Sequence, residues 1–146
     1  AGITMETKKI TVRIRAVIVH EDKLLVMKMG TNEYYALPGG KMEIGETILE
    51  CLEREITEEL GIPPKIGRLL FTNSFVEKNG DQSVEFIFEV TNGLDYLDEK
   101  KLKGTHSFEF NDISWVGKND SKIILPKQIQ DYLNNGTILS DTVRFL

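Results

Sequence analysis

The stretch from Gly40 to Ile62, GKMEIGETILECLEREITEELGI, constrains this chain more than any other. Thr47 to Leu60 within it has helical periodicity. Breakers fence that helix: Pro38-Gly39-Gly40 come before it, and Gly61 with Pro63-Pro64 stop it, as a C-cap glycine followed by prolines does. Placed on a helical wheel, Leu49, Leu52, Ile56 and Leu60 gather on one stripe, which is expected to pack on a sheet. Glu55, Glu58 and Glu59 form a neighbouring stripe at i, i+3 and i+4. Carboxylates so placed repel each other by ~0.2–0.5 kcal/mol per close pair, and in water the helix gains nothing in return. Beneath a hard divalent cation the same side chains become the oxygen ligands that Mg²⁺ or Mn²⁺ accepts. Spacing alone leaves a solvated acidic helix face as the competing explanation.

The charge of the whole chain is concentrated here. Between Glu43 and Glu59 lie seven acids and one base, Arg54, so this segment holds −6 of a net −5, and the remaining chain is +1. No basic stripe is left to neutralise a run of phosphates, which argues against general nucleic-acid binding and against messenger-RNA decapping. The 146 residues suit one domain. Residues 5–146 are expected to form it, with Ala1 to Thr4 a tag remnant ahead of Met5. The single cysteine, Cys51, precludes an intrachain disulfide; a reducing, cytoplasmic setting is the expectation. No apolar run approaches the ~20 residues of a membrane span, and no secretory leader is visible.

Around the helix the pattern predicts strands over 9–20 and 23–29 joined by a turn at Glu21-Asp22, and a short extended piece over 34–37. Strands over 66–77 and 83–91 flank an Asn79-Gly80 turn, and another strand is predicted over 107–116. A terminal helix is expected over 126–133, with Pro126 in its first turn. The polar, lysine-rich span 92–104 reads as a functional loop. Strands, a helix after a Gly-rich turn, more strands and a last helix give an α+β architecture.

The 40–62 segment resembles the Nudix box, G-x5-E-x7-R-E-U-x-E-E-x-G-U with U a bulky aliphatic. Gly40, Glu46, Arg54, Glu55, Ile56, Glu58, Glu59, Gly61 and Ile62 match it without a gap, and Leu37-Pro38-Gly39 ahead of it and the extra Glu43 also look like the family. The resemblance implies an α/β/α sandwich with a mixed sheet. It also implies Mg²⁺-dependent hydrolysis (with Mn²⁺ able to substitute) of a nucleoside diphosphate linked to another moiety, with water attacking phosphorus. Carried over residue by residue, Glu55, Glu58 and Glu59 are metal ligands and Glu59 a water activator. A backbone carbonyl of Gly39 or Gly40 adds a ligand, and Arg54 with Glu46 orients the glutamates. Such metals serve phosphoryl transfer, which depends on charge neutralisation and in-line positioning.

An acid from outside the box is expected to complete the cluster as catalytic residue and ligand. Glu109, six residues before Trp115, resembles the MutT arrangement, and Glu99 is its rival. Arg13 and Arg15 alternate on one strand face, where they meet either ligand or solvent. Lys100, Lys101 and Lys103 are expected to be solvated, Trp115 to lie in the core, and Cys51 to be a small buried residue. His20 and His106 receive no role. Markers of Nudix subfamilies are absent: no Pro occurs between Pro64 and Pro126, and the next Tyr after the box is Tyr96. The expected partner is a small nucleotide substrate, with no membrane; a homodimer is compatible with the sequence. The contrasting class is a Nudix-fold sensor that binds a nucleotide or ADP-ribose without turnover.

Overall fold

In a computed structural model, residues 7–102 and 110–146 are described. The long strands lie where alternation places them. β1 spans Ile10–His20 and β2 Lys23–Met29. They are joined by Glu21 and Asp22, both with positive φ (48° and 63°), the backbone a two-residue hairpin turn demands. Next come two short strands, β3 over Tyr35–Ala36 and β4 over Gly39–Lys41. Helix α1 spans Ile48–Leu60. β5 (Ile66–Val76) and β6 (Gln82–Val90) are antiparallel partners. Two 3₁₀ turns, Gly93–Tyr96 and Glu99–Lys101, fill part of the expected loop. The chain closes with β7 (Phe110–Val116), β8 (Ile124–Leu125), α2 (Gln128–Asn134) and β9 (Arg144–Phe145).

These strands form one mixed sheet in the order β8-β3-β2-β1-β6-β5-β9, with β4 against β1 and β7 against β2. β1 runs parallel to β6 from Ile10↔Gln82 to Ile18↔Val90. Alternation along β1 sends successive side chains to opposite faces. Ile14, Ala16 and Ile18 enter the core beneath α1, with Cys51, Leu52, Ile56 and Leu60. Val17 enters the other core with Ile129 and Leu133 of α2. The helices therefore cover opposite faces of the sheet, the layered α+β arrangement that the box implied.

Three short strands, β4, β8 and β9, carry no periodic signal and go unanticipated in the sequence. α2 begins at Gln128 rather than at Pro126. Leu49 is a correction: it is half exposed, whereas Cys51 and Glu59 are buried. The buried arc of α1 is rotated away from Leu49 toward Glu59, so a carboxylate lies within the helix face that meets the sheet.

β4 is where the fold turns into a site. β1 pairs with β2 only at its far end (Val19↔Leu24, His20↔Lys23), and with β4 at Arg13↔Lys41, Ile14↔Gly40 and Arg15↔Gly39. The sheet forks between these partners. Gly39 has φ 141°, and a Cβ there would overlap the Ile14 carbonyl oxygen. At Gly40 a Cβ would instead overlap the Glu55 carboxylate, the free end of a flexible side chain. The two alanine variants should differ accordingly. Gly39→Ala should lose roughly 3 kcal/mol or more of stability, from backbone strain and overlap together. Gly40→Ala should fold nearly as well as wild type but lose activity, because Glu55 must move. Urea midpoints and kcat for the pair check this; equal stability losses would contradict it.

Candidate active site

The box begins with caps that fix α1. The Thr47 hydroxyl accepts the Glu50 N–H at 3.2 Å, and the Glu50 carboxylate accepts the Thr47 N–H at 2.9 Å, a capping box. At the other end Gly61, with φ 79°, donates its N–H to the Thr57 carbonyl at 2.9 Å. Glu50 is thereby committed to the cap, so it is not Arg54's i,i+4 partner.

Arg54 is the hub of the acidic face. Its Nε and Nη2 donate to the two oxygens of Glu46 at 3.0 and 2.8 Å. Nη1 donates to Glu55 at 2.9 Å and Glu58 at 3.3 Å, and Nη2 also reaches the Lys41 carbonyl at 3.1 Å. Glu43 lies at 3.9 Å and is largely exposed. The forked contact with Arg54 holds the Glu46 carboxyl down to about 2, and the surrounding acids raise the Arg54 guanidinium above its ordinary value. One arginine thus bridges the glutamates and offsets repulsion that the bare helix would carry.

Glu59 is the exception, since it takes no bond from Arg54. It is 9% exposed, and its Oε2 accepts the Gly39 N–H at 3.1 Å. Burial pushes its carboxyl up to about 8; the Gly39 N–H and nearby Arg15 pull down, and Glu55 and Glu58 push further up. Glu55, half-buried, is raised chiefly by burial as well, against the pull of Arg54. A carboxylate so placed is short of positive charge.

The sign of the resulting pH dependence is fixed. From the usual 4.5 up to about 8 the folded, metal-free protein holds a proton on Glu59 that the unfolded chain has lost, so stability falls as pH rises through that window. Urea midpoints of EDTA-treated protein should drop between pH 5 and pH 8, and Glu59→Gln should flatten that slope. An unchanged slope in the variant would contradict the assignment.

Among the described residues no three His, Cys, Asp or Glu side chains already converge as a metal cage. The donor set nevertheless fits a hard cation. Glu55, Glu58 and Glu59 share the helix flank, the Gly39 and Gly40 backbones abut Glu59 and Glu55, and all the acidic donors are oxygen. Glu55 and Glu58 each meet Arg54 through one carboxylate oxygen, so converging on a cation asks for a rotamer adjustment about those contacts, not a refolding.

Glu59 and Arg15 line a recess of about 150 Å³ in the fork, together with Met27, Leu37 and Gly39. Arg15, Tyr34 and Ala36 also border a groove of about 750 Å³, which runs past Arg13, Asn73 and Glu85 to Gln128. The recess therefore opens into the groove. Arg13 and Arg15, ambiguous in sequence, both face this groove, each against an acid: Arg13 to Glu77 at 3.2 Å and Arg15 to Glu85 at 2.7 Å.

Of the remaining candidates, Glu109, Lys103 and His106 lie outside the described residues. Glu99 is exposed in the second 3₁₀ turn, as are Lys100 and Lys101. Trp115 packs against the core beneath α1, and its buried Nε1 has no partner among the described residues. Cys51 is fully buried and its thiol is pushed up to about 12 by burial, which disqualifies it as a nucleophile. Sequence reading missed Glu85 and Asn73. An acid at the centre of the apolar strand SVEFIFEV was the available signal.

A model of the NUDIX domain matches residues 9–133. The chain belongs to the Nudix family. It is a Nudix hydrolase by that membership. The ADP-ribose pyrophosphatase of Methanocaldococcus jannaschii is 33% identical over 77% of this chain and 70% of its own length. The nucleoside triphosphatase NudI of an Enterobacter species is 34% identical over 68% of this chain and 77% of its own. Among solved structures, the MutT protein of Bacillus halodurans superposes with a TM-score of 0.67 at 25% identity, over 92% of this chain and 86% of that one. A UDP-X diphosphatase superposes at 0.68 with 21% identity, covering 97% and 69%, a likeness of fold alone. No helix among the described residues of this Nudix hydrolase is long and apolar enough to cross a membrane.

Proposed function

We propose that the protein hydrolyses a phosphoanhydride bond in a nucleoside diphosphate linked to another moiety, by attack of water on phosphorus. The observation that carries this reading is the intact α1 flank, where Glu55, Glu58 and Glu59 border the backbone of Gly39 and Gly40 and Arg54 is locked to Glu46. Nudix hydrolases generally need a divalent metal, and Glu55, Glu58, Glu59 and a carbonyl of Gly39 or Gly40 would hold it here. A divalent cation held there would supply the positive charge that the diphosphate lacks and would make the attacking water more acidic. Glu59, buried and hydrogen-bonded to a rigid strand, accepts the proton of the attacking water. Arg54 keeps Glu55 and Glu58 aimed through contacts fixed by Glu46. Glu109 is our candidate for the acid from outside the box, ahead of Glu99. We read residues 5–146 as one catalytic domain acting in the cytoplasm.

The named activities of relatives at 33% and 34% identity, one on ADP-ribose and one on nucleoside triphosphates, support a nucleotide derivative. They differ in the group that the phosphate chain carries at its far end. A screen of nucleoside diphosphate derivatives and triphosphates with Mg²⁺ separates them, reading inorganic phosphate with and without added phosphatase. Release of a nucleoside monophosphate, or of pyrophosphate from a triphosphate, is expected. Tight binding with no turnover of any compound would favour the sensor reading.

A further inference from the structure

We propose that Arg15 is a substrate-contacting residue: its guanidinium, anchored at the mouth of the Glu59 recess, binds the substrate phosphate that lies on the groove side of the glutamates. This rests on the hydrolase reading above. Arg15 borders both the recess and the groove, so a diphosphate reaching from one into the other passes its side chain.

The anchoring is specific. Nε donates to Glu85 Oε2 at 2.7 Å and Nη1 to the Leu37 carbonyl at 2.9 Å. The other oxygen of Glu85 accepts Asn73 Nδ2 at 3.0 Å. Glu85 is thus held at both oxygens and is 3% exposed, and Asn73 is 9% exposed. Nη2 of Arg15 donates to no described residue, which leaves an oriented donor edge at the mouth. Arginine's planar fork matches phosphate oxygens, and a fork already fixed by two bonds loses little freedom on binding.

The setting argues against a purely structural ion pair. On this face of the sheet Val17, Phe71 and Ile87 are packed in apolar core, and the next step along the same strands brings Arg15, Asn73 and Glu85. A buried ion pair is weak evidence for stability, since apolar residues of similar volume often serve as well. Its placement where the core face becomes the groove floor, beside Glu59, is what binding requires. Arg13 differs: it joins Glu77 and Ser83 farther along the groove and does not line the recess. Glu85 and Asn73 are positioning residues that act through Arg15.

The test compares wild type, Arg15→Gln, Arg15→Lys and Glu85→Gln. Calorimetry with Mg²⁺ reads Kd for methylene-bridged ADP-ribose, whose P–C–P link cannot be hydrolysed; kcat, KM and Tm are read in parallel. Arg15→Gln should raise Kd and KM together by roughly 10–100-fold, the range of one charge-assisted contact. Arg15→Lys should recover part of that loss, and Glu85→Gln should weaken binding in the same direction while leaving Arg15 charged. If Arg15→Gln does not fold, Arg15→Lys decides, with a several-fold weaker Kd expected. A fall in Tm with Kd within about twofold of wild type in the folded arginine variants overturns the proposal, as does wild type that fails to bind the analogue. Arg15-dependent binding in a wild type that turns over nothing upholds Arg15 and sinks the hydrolase reading instead.

Discussion

EDTA is expected to abolish turnover, and added Mg²⁺ or Mn²⁺ to restore it. Three carboxylates on one helix flank, one of them pushed up to about 8 by burial, and a substrate with a charged diphosphate both lack positive charge. Arg54 cannot supply it, because its donors are taken by Glu46, Glu55, Glu58 and the Lys41 carbonyl. Without the cation the reacting phosphates meet a negative surface, and the loss should be close to complete. Full activity on a diphosphate substrate in EDTA would remove the metal from the account.

Glu59→Gln should lower kcat by on the order of 10²–10⁴, or roughly 3–5 kcal/mol of transition-state stabilisation. The amide keeps the size of the side chain and can still accept the Gly39 N–H, so the change is confined to charge and basicity. Folding stability should hold or rise near neutral pH, because a buried carboxyl that resists ionisation is gone. Glu53→Gln is the matched control, on the exposed face of the same helix. Similar kinetic losses in the two variants would show that the helix face is wrongly assigned.

Much of this site could be read from the chain because its determinants are local. Thr47 and Glu50 cap α1, Gly61 ends it, and the three glutamates share a flank by helical spacing alone. The hairpins β1–β2 and β5–β6 are legible in alternation and in Glu21-Asp22 and Asn79-Gly80. The hidden parts depend on partners distant in sequence. β4 exists because Gly39 and Gly40 fit against Ile14 and Glu55, which no propensity for glycine in a strand suggests. β8 and β9, two residues each, are made by pairing with β3 and β5.

Leu49 illustrates a wheel read by hydrophobicity alone. The sheet selects the arc holding Cys51 and Glu59, so a carboxylate takes the buried position and the leucine is left half exposed. The Arg15–Glu85–Asn73 cluster needed the parallel register of β1 on β6, which sets Arg13 opposite Glu85 and Arg15 opposite Ile87.

Hydrolysis in ¹⁸O-labelled water, with mass spectrometry of both products, tests most directly the claim that this chain directs water onto phosphorus. For ADP-ribose or another nucleoside diphosphate derivative, one ¹⁸O should appear in a product phosphate and none on carbon. Label on the carbon skeleton, or products formed without uptake of label, would contradict it.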